Sequence, residues 1–109
     1  MIIGVGIDLV DLDEFRERLT DAVVRELFLP DEIEYANTKA RPWESLAARF
    51  AAKEAAFKAL GAGRERGPAW REIEVVREPD GRVGLRMAGG AGRLAQARGV
   101  SSSHVSLTH

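Results

Sequence analysis

The sequence predicts an α+β fold, in which a small antiparallel sheet packs with one long and several short helices. A long helical pattern runs from Trp43 to Leu60. The turn Pro79-Asp80-Gly81 separates two segments with the alternation of strands, as in a β-hairpin. The run from Ile2 to Ile7 is short, apolar and β-branched, which is typical of a strand. Long helices beside hairpin strands indicate the α+β class.

Size and composition exclude several classes of protein. The chain has 109 residues, which suits a single domain over residues 1–109. It has no cysteine, which excludes disulfide bonds and thiolate metal sites. No run approaches the roughly 18 apolar residues of a membrane span, and the N-terminus does not resemble a signal peptide. We therefore expect a cytoplasmic protein that does not bind membranes, and the net charge of −1 argues against a general nucleic-acid binder.

The first half of the chain is predicted to contain the initial strand and two short helices. The pattern from Asp11 to Leu19 has helical periodicity. Pro30 interrupts the chain, and Asp31 to Ala36 form a second short helix. The apolar stripe of the first helix consists of Leu12, Phe15 and Leu19.

The segment from Trp43 to Leu60, "WESLAARFAAKEAAFKAL", is the strongest helical element of the sequence. It is rich in alanine and other residues with high helix propensity. Gly61 follows it, and glycine commonly ends helices. The apolar stripe of this helix consists of Leu46, Phe50, Phe57 and Leu60.

The last part of the chain is predicted to contain a hairpin, a helix and a further strand. Strands from Glu72 to Arg77 and from Arg82 to Met87 flank the turn. Residues Ala91 to Arg98 are predicted to form a helix. The segment from His104 to Thr108, "HVSLT", alternates again as a strand does.

Charge is distributed unevenly along the chain. Between Asp8 and Glu34 there are 10 acidic residues and 3 arginines, whereas between Lys39 and Arg71 there are 8 basic residues and 3 acidic ones. One interpretation is that these segments form two differently solvated surfaces. The other is that the basic middle segment forms an anion-binding site.

Asp8 ends the apolar run at the start of the chain, in the sequence "GVGID". A glycine pair before an acid is similar to the dinucleotide-binding fingerprint, but Leu9 occupies the position of the third glycine. Asp8 therefore has two interpretations that this stretch leaves open. It caps the helix that begins near Leu9 to Leu12, or it is a ligand at the end of the strand.

Glu54 lies in a stretch of the long helix that is otherwise mostly small and apolar, and Lys58 follows it at i+4 on the same face. A surface ion pair is one interpretation. However, Arg49 and Lys53 also lie on this helix, and a carboxylate among several cations suits a hard cation with phosphates. Magnesium is commonly held by one or two carboxylates together with water and phosphate oxygens. Asp8 and Glu54 could form that pair, with Lys58 bound to a phosphate.

Three motifs, "GVGIDLVDLDEF", "RFAAKEAAFKALG" and "HVSLTH", resemble those of the holo-acyl-carrier-protein synthases, which are small 4′-phosphopantetheinyl transferases. The resemblance extends over nearly the whole chain. It implies the transferase fold and the transfer of 4′-phosphopantetheine from coenzyme A to a serine of an apo acyl carrier protein. Adenosine 3′,5′-bisphosphate would be released. The alternative is a non-enzymatic α+β module that binds a nucleotide or a partner protein through its basic helix.

The resemblance also implies roles for particular residues. The two metal-binding acids of the family match Asp8 and Glu54, which would hold Mg²⁺. The motif lysine matches Lys58, which would bind coenzyme A and act in catalysis. The histidine motif matches His104 and His109, and His104 is the candidate catalytic residue of the two.

Two assignments of the site stay open at this point. Arg49 and Lys53 are predicted to bind the phosphates of coenzyme A together with Lys58, without a division of roles among them. The base that accepts the proton of the carrier serine is Glu54, His104 or a metal-bound water. His104 could equally be a structural residue of its strand.

The resemblance further implies a homotrimer with active sites at the interfaces. Family members usually continue past the histidine motif with another strand, so we expect this final strand to be absent. Val76 and Met87 are apolar residues that could contact a neighbouring subunit. Carrier proteins present an acidic helix, so docking is expected to use a local cationic face. The candidates are Arg16, Arg18, Arg25, Lys39 and Arg41.

Overall fold

The structure is a computed structural model that describes residues 12–60 and 70–97. In this part of the chain, helices surround a two-stranded antiparallel sheet, which confirms the predicted α+β class. The helices are α1 (Leu12–Arg18), α2 (Asp21–Leu27), α3 (Pro30–Asn37), α4 (Pro42–Leu60) and α5 (Gly89–Ala97). The strands are β1 (Ile73–Arg77) and β2 (Val83–Met87), and a 3₁₀ turn at Trp70–Glu72 precedes β1.

The predicted helices and hairpin are confirmed, with ends that differ by one or two residues. Helix α2 was not predicted. Its start is marked by Thr20, whose hydroxyl oxygen accepts a hydrogen bond of 3.2 Å from Val23 N–H and so caps the helix. The predicted strands at residues 2–7 and 104–108 lie outside the described residues.

The hairpin is closed by the predicted turn. Gly81 has a φ of +90°, a conformation that glycine adopts without strain. The carboxylate of Asp80 accepts a hydrogen bond of 3.0 Å from Arg82 N–H. The register pairs Ile73 with Met87 and Val75 with Leu85, so these four apolar side chains lie on one face of the sheet.

The described core has two clusters. The first is formed by Phe28, Ala36 and Leu46, with side chains of α1 and α2 packed against it. The second is formed by Ala56, Ile73 and Ala91, with Phe57, Leu85 and Met87 against it. Helix α4 contributes to both clusters, so it is the central element of the fold.

Aromatic rings hold α1 and the 3₁₀ turn against α4. The ring centroids of Phe15 and Phe50 lie 5.5 Å apart, and Trp70 lies 4.8 Å from Phe50 and 5.7 Å from Phe57. These pairs confirm the inward position of Phe15 in the predicted stripe of α1. The prediction is wrong for Leu12, which is 42% exposed because α1 begins there and makes its contacts further along.

Candidate functional site

Helix α4 carries the described candidate site residues on two of its faces. Glu54 follows Phe50 by four residues and precedes Phe57 by three, so it lies beside the aromatic residues at the edge of the buried face. Glu54 is half-buried, and Lys58, one turn further on, is exposed. This edge therefore presents a carboxylate and an ammonium group on neighbouring turns of a well-supported helix.

Glu54 fits the requirements of a magnesium ligand. Within residues 12–60 and 70–97, no group of three or more acidic or histidine side chains is close enough to hold a metal ion. Magnesium, however, needs only one or two protein carboxylates when phosphates and water supply the other oxygens. Glu54 can be one of them. The second predicted ligand, Asp8, lies outside the described residues, as do His104 and His109.

Lys53 points into the protein and is 0% exposed. Its Nζ donates to Glu32 Oε1 at 2.6 Å, to the main-chain oxygen of Leu27 at 2.8 Å and to that of Trp70 at 3.3 Å. Burial lowers the pKa of the ammonium, and the hydrogen bond and charge of Glu32 oppose this effect. These contacts occupy all the hydrogens of the ammonium group. They favour a structural role over the predicted contact with coenzyme A, which stays a prediction.

Glu32 is the partner that the sequence analysis missed. Besides Lys53, its Oε1 accepts a hydrogen bond from Leu29 N–H and its Oε2 one from Val75 N–H of β1, both at 3.0 Å. A signal for this pair was present, because Lys53 lies three residues after Phe50 and four before Phe57. A lysine within an apolar stripe requires a buried partner of opposite charge.

Arg49 is also in the interior, at 2% exposed. Its Nη1 donates to Ser45 Oγ at 2.9 Å, and its guanidinium lies 4.3 Å from the centroid of the Tyr35 ring. Lys39 and Arg77 approach the same ring, at 4.8 Å and 5.4 Å. We call Tyr35, Lys39, Arg49 and Arg77 the Tyr35 cluster. In the described part of the chain, Arg49 Nε has no hydrogen-bond partner.

The Tyr35 cluster brings together cations from three separate elements. Lys39 follows α3, Arg49 is on α4 and Arg77 ends β1. Because like charges repel, such a group of cations favours anions nearby. The cluster agrees with the interpretation of the basic middle segment as an anion site, and it adds Arg77 and Tyr35, which the sequence analysis did not select.

A model of the 4′-phosphopantetheinyl transferase superfamily matches residues 4–108, which is nearly the whole chain. The chain belongs to this superfamily. The match confirms the resemblance that the sequence motifs carry.

Relatives within the superfamily agree in sequence and in fold. The chain is 42% identical over 112 residues to the holo-[acyl-carrier-protein] synthase of Koribacter versatilis, with 100% of this chain and 90% of that protein covered. Its fold is similar to the crystal structure of holo-[acyl-carrier-protein] synthase from Neisseria meningitidis, with a TM-score of 0.84, 28% identity and coverage of 100% and 90%. It is also similar to the ACPS–CoA complex of Chronobacterium ammoniagenes, with a TM-score of 0.71, 33% identity and coverage of 86% and 78%.

Proposed function

We propose that this chain is a transferase that moves 4′-phosphopantetheine from coenzyme A to a serine of an apo acyl carrier protein. The observation that carries this proposal is the similarity over the full length of the chain to holo-[acyl-carrier-protein] synthases. The half-buried carboxylate and the neighbouring cations of α4 suit the same chemistry. In the reaction, the serine oxygen bonds to the β-phosphorus, and adenosine 3′,5′-bisphosphate leaves.

Coenzyme A carries several phosphate groups, and we assign cations of this chain to them. Lys58 is exposed on the same edge of α4 as Glu54, so it is suited to the pyrophosphate. Arg49 belongs to the Tyr35 cluster, where Lys39 and Arg77 add positive charge. A bound coenzyme A in a similar structure supports the choice of substrate.

We assign Mg²⁺ to Asp8 and Glu54. A bound magnesium ion would neutralise the negative charge that develops on the phosphoryl oxygens during transfer. Lys58 contributes a second positive charge there. The base that takes the proton of the carrier serine is Glu54, His104 or a water molecule.

We further propose that the chain acts as a homotrimer in the cytoplasm and docks its carrier through arginines. Among the described helices, none is long and apolar enough to cross a membrane. Arg16 supports the docking assignment, because its guanidinium lies 3.9 Å from the centroid of the Trp43 ring and is therefore held at the surface between α1 and α4. An acidic carrier helix would find this cation already oriented.

The proposed function is tested by mass spectrometry of an apo acyl carrier protein incubated with the chain, coenzyme A and MgCl₂. We expect the carrier to gain the mass of one 4′-phosphopantetheine and the reaction to require the metal. The variant Glu54→Gln should slow the transfer by about a hundredfold or more while the chain stays folded. The matched control Glu34→Gln removes an exposed acid of α3 and should transfer normally. A carrier of unchanged mass would instead support the non-enzymatic module.

A further inference from the structure

The buried ion pair of Glu32 and Lys53 lies directly beside Glu54, yet the chemistry proposed above does not use it. Both side chains are 0% exposed, and Lys53 Nζ lies 2.6 Å from Glu32 Oε1. A buried ion pair often contributes no more stability than well-packed apolar side chains would, because both charges lose their hydration. Stability alone therefore does not explain why this helix carries a lysine at the centre of its apolar stripe.

The pair connects α4 to the elements around it. Lys53 Nζ donates to main-chain oxygens of Leu27, at the end of α2, and of Trp70, in the 3₁₀ turn. Its ionic partner Glu32 is on α3 and accepts a hydrogen bond from Val75 of β1. One side chain of α4 is thus held from several directions, which fixes the rotation of the helix about its own axis.

The rotation of α4 determines where the carboxylate of Glu54 points, because Glu54 is the next residue. A side chain lies about 5 Å from the helix axis, so a rotation of about 20° would displace the carboxylate by about 2 Å. Magnesium requires oxygen ligands at about 2.0–2.1 Å in a nearly octahedral arrangement. A displacement of this size would therefore remove Glu54 from the ion.

We propose that Glu32 is a positioning residue for metal binding. Through its ion pair with Lys53, it holds α4 in the rotation that directs Glu54 toward the magnesium ion. The inference rests on the proposed function in one respect, the assignment of Glu54 as a metal ligand. It adds a residue of another helix to the requirements of that site.

The double variant Glu32→Gln with Lys53→Met tests this role. Glutamine keeps an acceptor for Val75 N–H and methionine has nearly the length of lysine, so the variant should fold without the ionic connection. Mn²⁺ binding is measured by electron paramagnetic resonance with coenzyme A present and no carrier protein, so that no turnover takes place. We expect a cooperative thermal transition and an affinity for Mn²⁺ that is lower by about tenfold or more.

The control variant Asp80→Asn with Arg82→Gln removes an exposed ion pair of the hairpin turn and should keep the wild-type affinity. A folded double variant with wild-type affinity for Mn²⁺ would overturn the positioning role and leave the proposed function intact. If the wild type binds no Mn²⁺, or Glu54→Gln binds it normally, the metal assignment fails and the positioning role fails with it.

If the double variant does not fold, Glu32→Asp takes its place in the same measurement. Aspartate keeps the negative charge but is shorter by one methylene group, so the ion pair can form only if α4 rotates or shifts. We expect a folded protein with weakened Mn²⁺ binding. Unchanged binding in this variant would also overturn the proposal.

Discussion

At the scale of the residue, Tyr35 shows how the fold changes the chemistry of a side chain. Burial raises the pKa of its hydroxyl, but the hydrogen bond with Lys39 and the positive charges of Arg77, Lys39 and Arg49 lower it further. The pKa therefore lies below its ordinary value of 10.0. Because the cations come from separate elements, this environment exists only in the folded chain.

We predict that the phenolate of Tyr35 forms at lower pH in the native protein than in the protein unfolded in urea. The chain has a single tyrosine, so its ultraviolet absorbance during a pH titration reports this residue alone. The variant Arg77→Gln should raise the native midpoint because it removes one of the cations. The control Arg82→Gln should not, because Arg82 pairs with Asp80 at 2.6 Å in the turn. A native midpoint at or above the urea midpoint would contradict the prediction.

The same shift has a consequence for stability. A tyrosine with a lowered native pKa binds fewer protons in the native state than in the unfolded state between the native pKa and 10.0. In this window its contribution to the free energy of unfolding rises with pH. The contribution is complete above pH 10.0 and is lost as the pH falls through the native pKa.

The sequence was informative about which residues carry charge, but less so about where each charge points. Glu54 and Lys58 were placed on one face of a helix, which is confirmed. Lys53 and Arg49 were grouped with them as cations for phosphates, although both are buried. Helical spacing alone places Lys53 within the apolar stripe, so its burial could have been predicted. Its partner Glu32 is distant in sequence and required the tertiary fold.

At the scale of the element, the start of α5 depends on a close contact with the turn before β1. The carboxylate of Glu72 accepts a hydrogen bond of 2.5 Å from Gly90 N–H and so lies at the N-terminus of the helix, where negative charge is favourable. Gly89 has a φ of +56°, and a Cβ built at this position would collide with Oε2 of Glu72. The contact therefore requires glycine at residue 89 for two separate reasons.

We predict that Gly89→Ala lowers the free energy of unfolding by about 2 kcal/mol or more. About 1–2 kcal/mol comes from the left-handed backbone, and displacement of the capping carboxylate adds about 1 kcal/mol. Urea unfolding measures the difference. The control Gly84→Ala lies in β2, where an added Cβ meets no atom within 4 Å, so it should be neutral or slightly stabilising. Equal stability of Gly89→Ala and the wild type would show that Glu72 does not hold α5 in this way.

The elements that the sequence predicted well have strong local signals. Helix α4 follows from alanine content and periodicity, and the hairpin follows from its Pro-Asp-Gly turn. Helix α2 was missed because it is only seven residues long, lies between two predicted helices and buries none of its side chains fully. A short helix of this kind gains most of its stability from packing rather than from its own propensity. Its sequence signal was limited to the cap at Thr20.

At the scale of the whole molecule, the described sheet has two strands and one apolar face. That face is covered within the chain by α4 and α5, through Ile73, Leu85 and Met87. Met87 therefore packs inside the chain, rather than meeting a neighbouring subunit as the sequence analysis suggested. Val76 alternates to the opposite face, is half-buried and pairs with Gly84, which has no side chain to cover it. Val76 is thus the candidate for contact with another subunit.

A two-stranded sheet is only marginally stable by itself, and coenzyme A is a long polyanion that a small domain cannot enclose easily. Contact between subunits would solve both problems, so we predict a homotrimer whose active sites each use two chains. Light scattering at micromolar concentration should give three times the mass of 11.9 kDa. Val76→Lys should dissociate the trimer and abolish transfer, since a charge at an apolar contact is unfavourable. Gln96→Lys adds the same charge on an exposed position of α5 and should change neither property. A chain with the mass of a monomer and full transferase activity would refute the shared site.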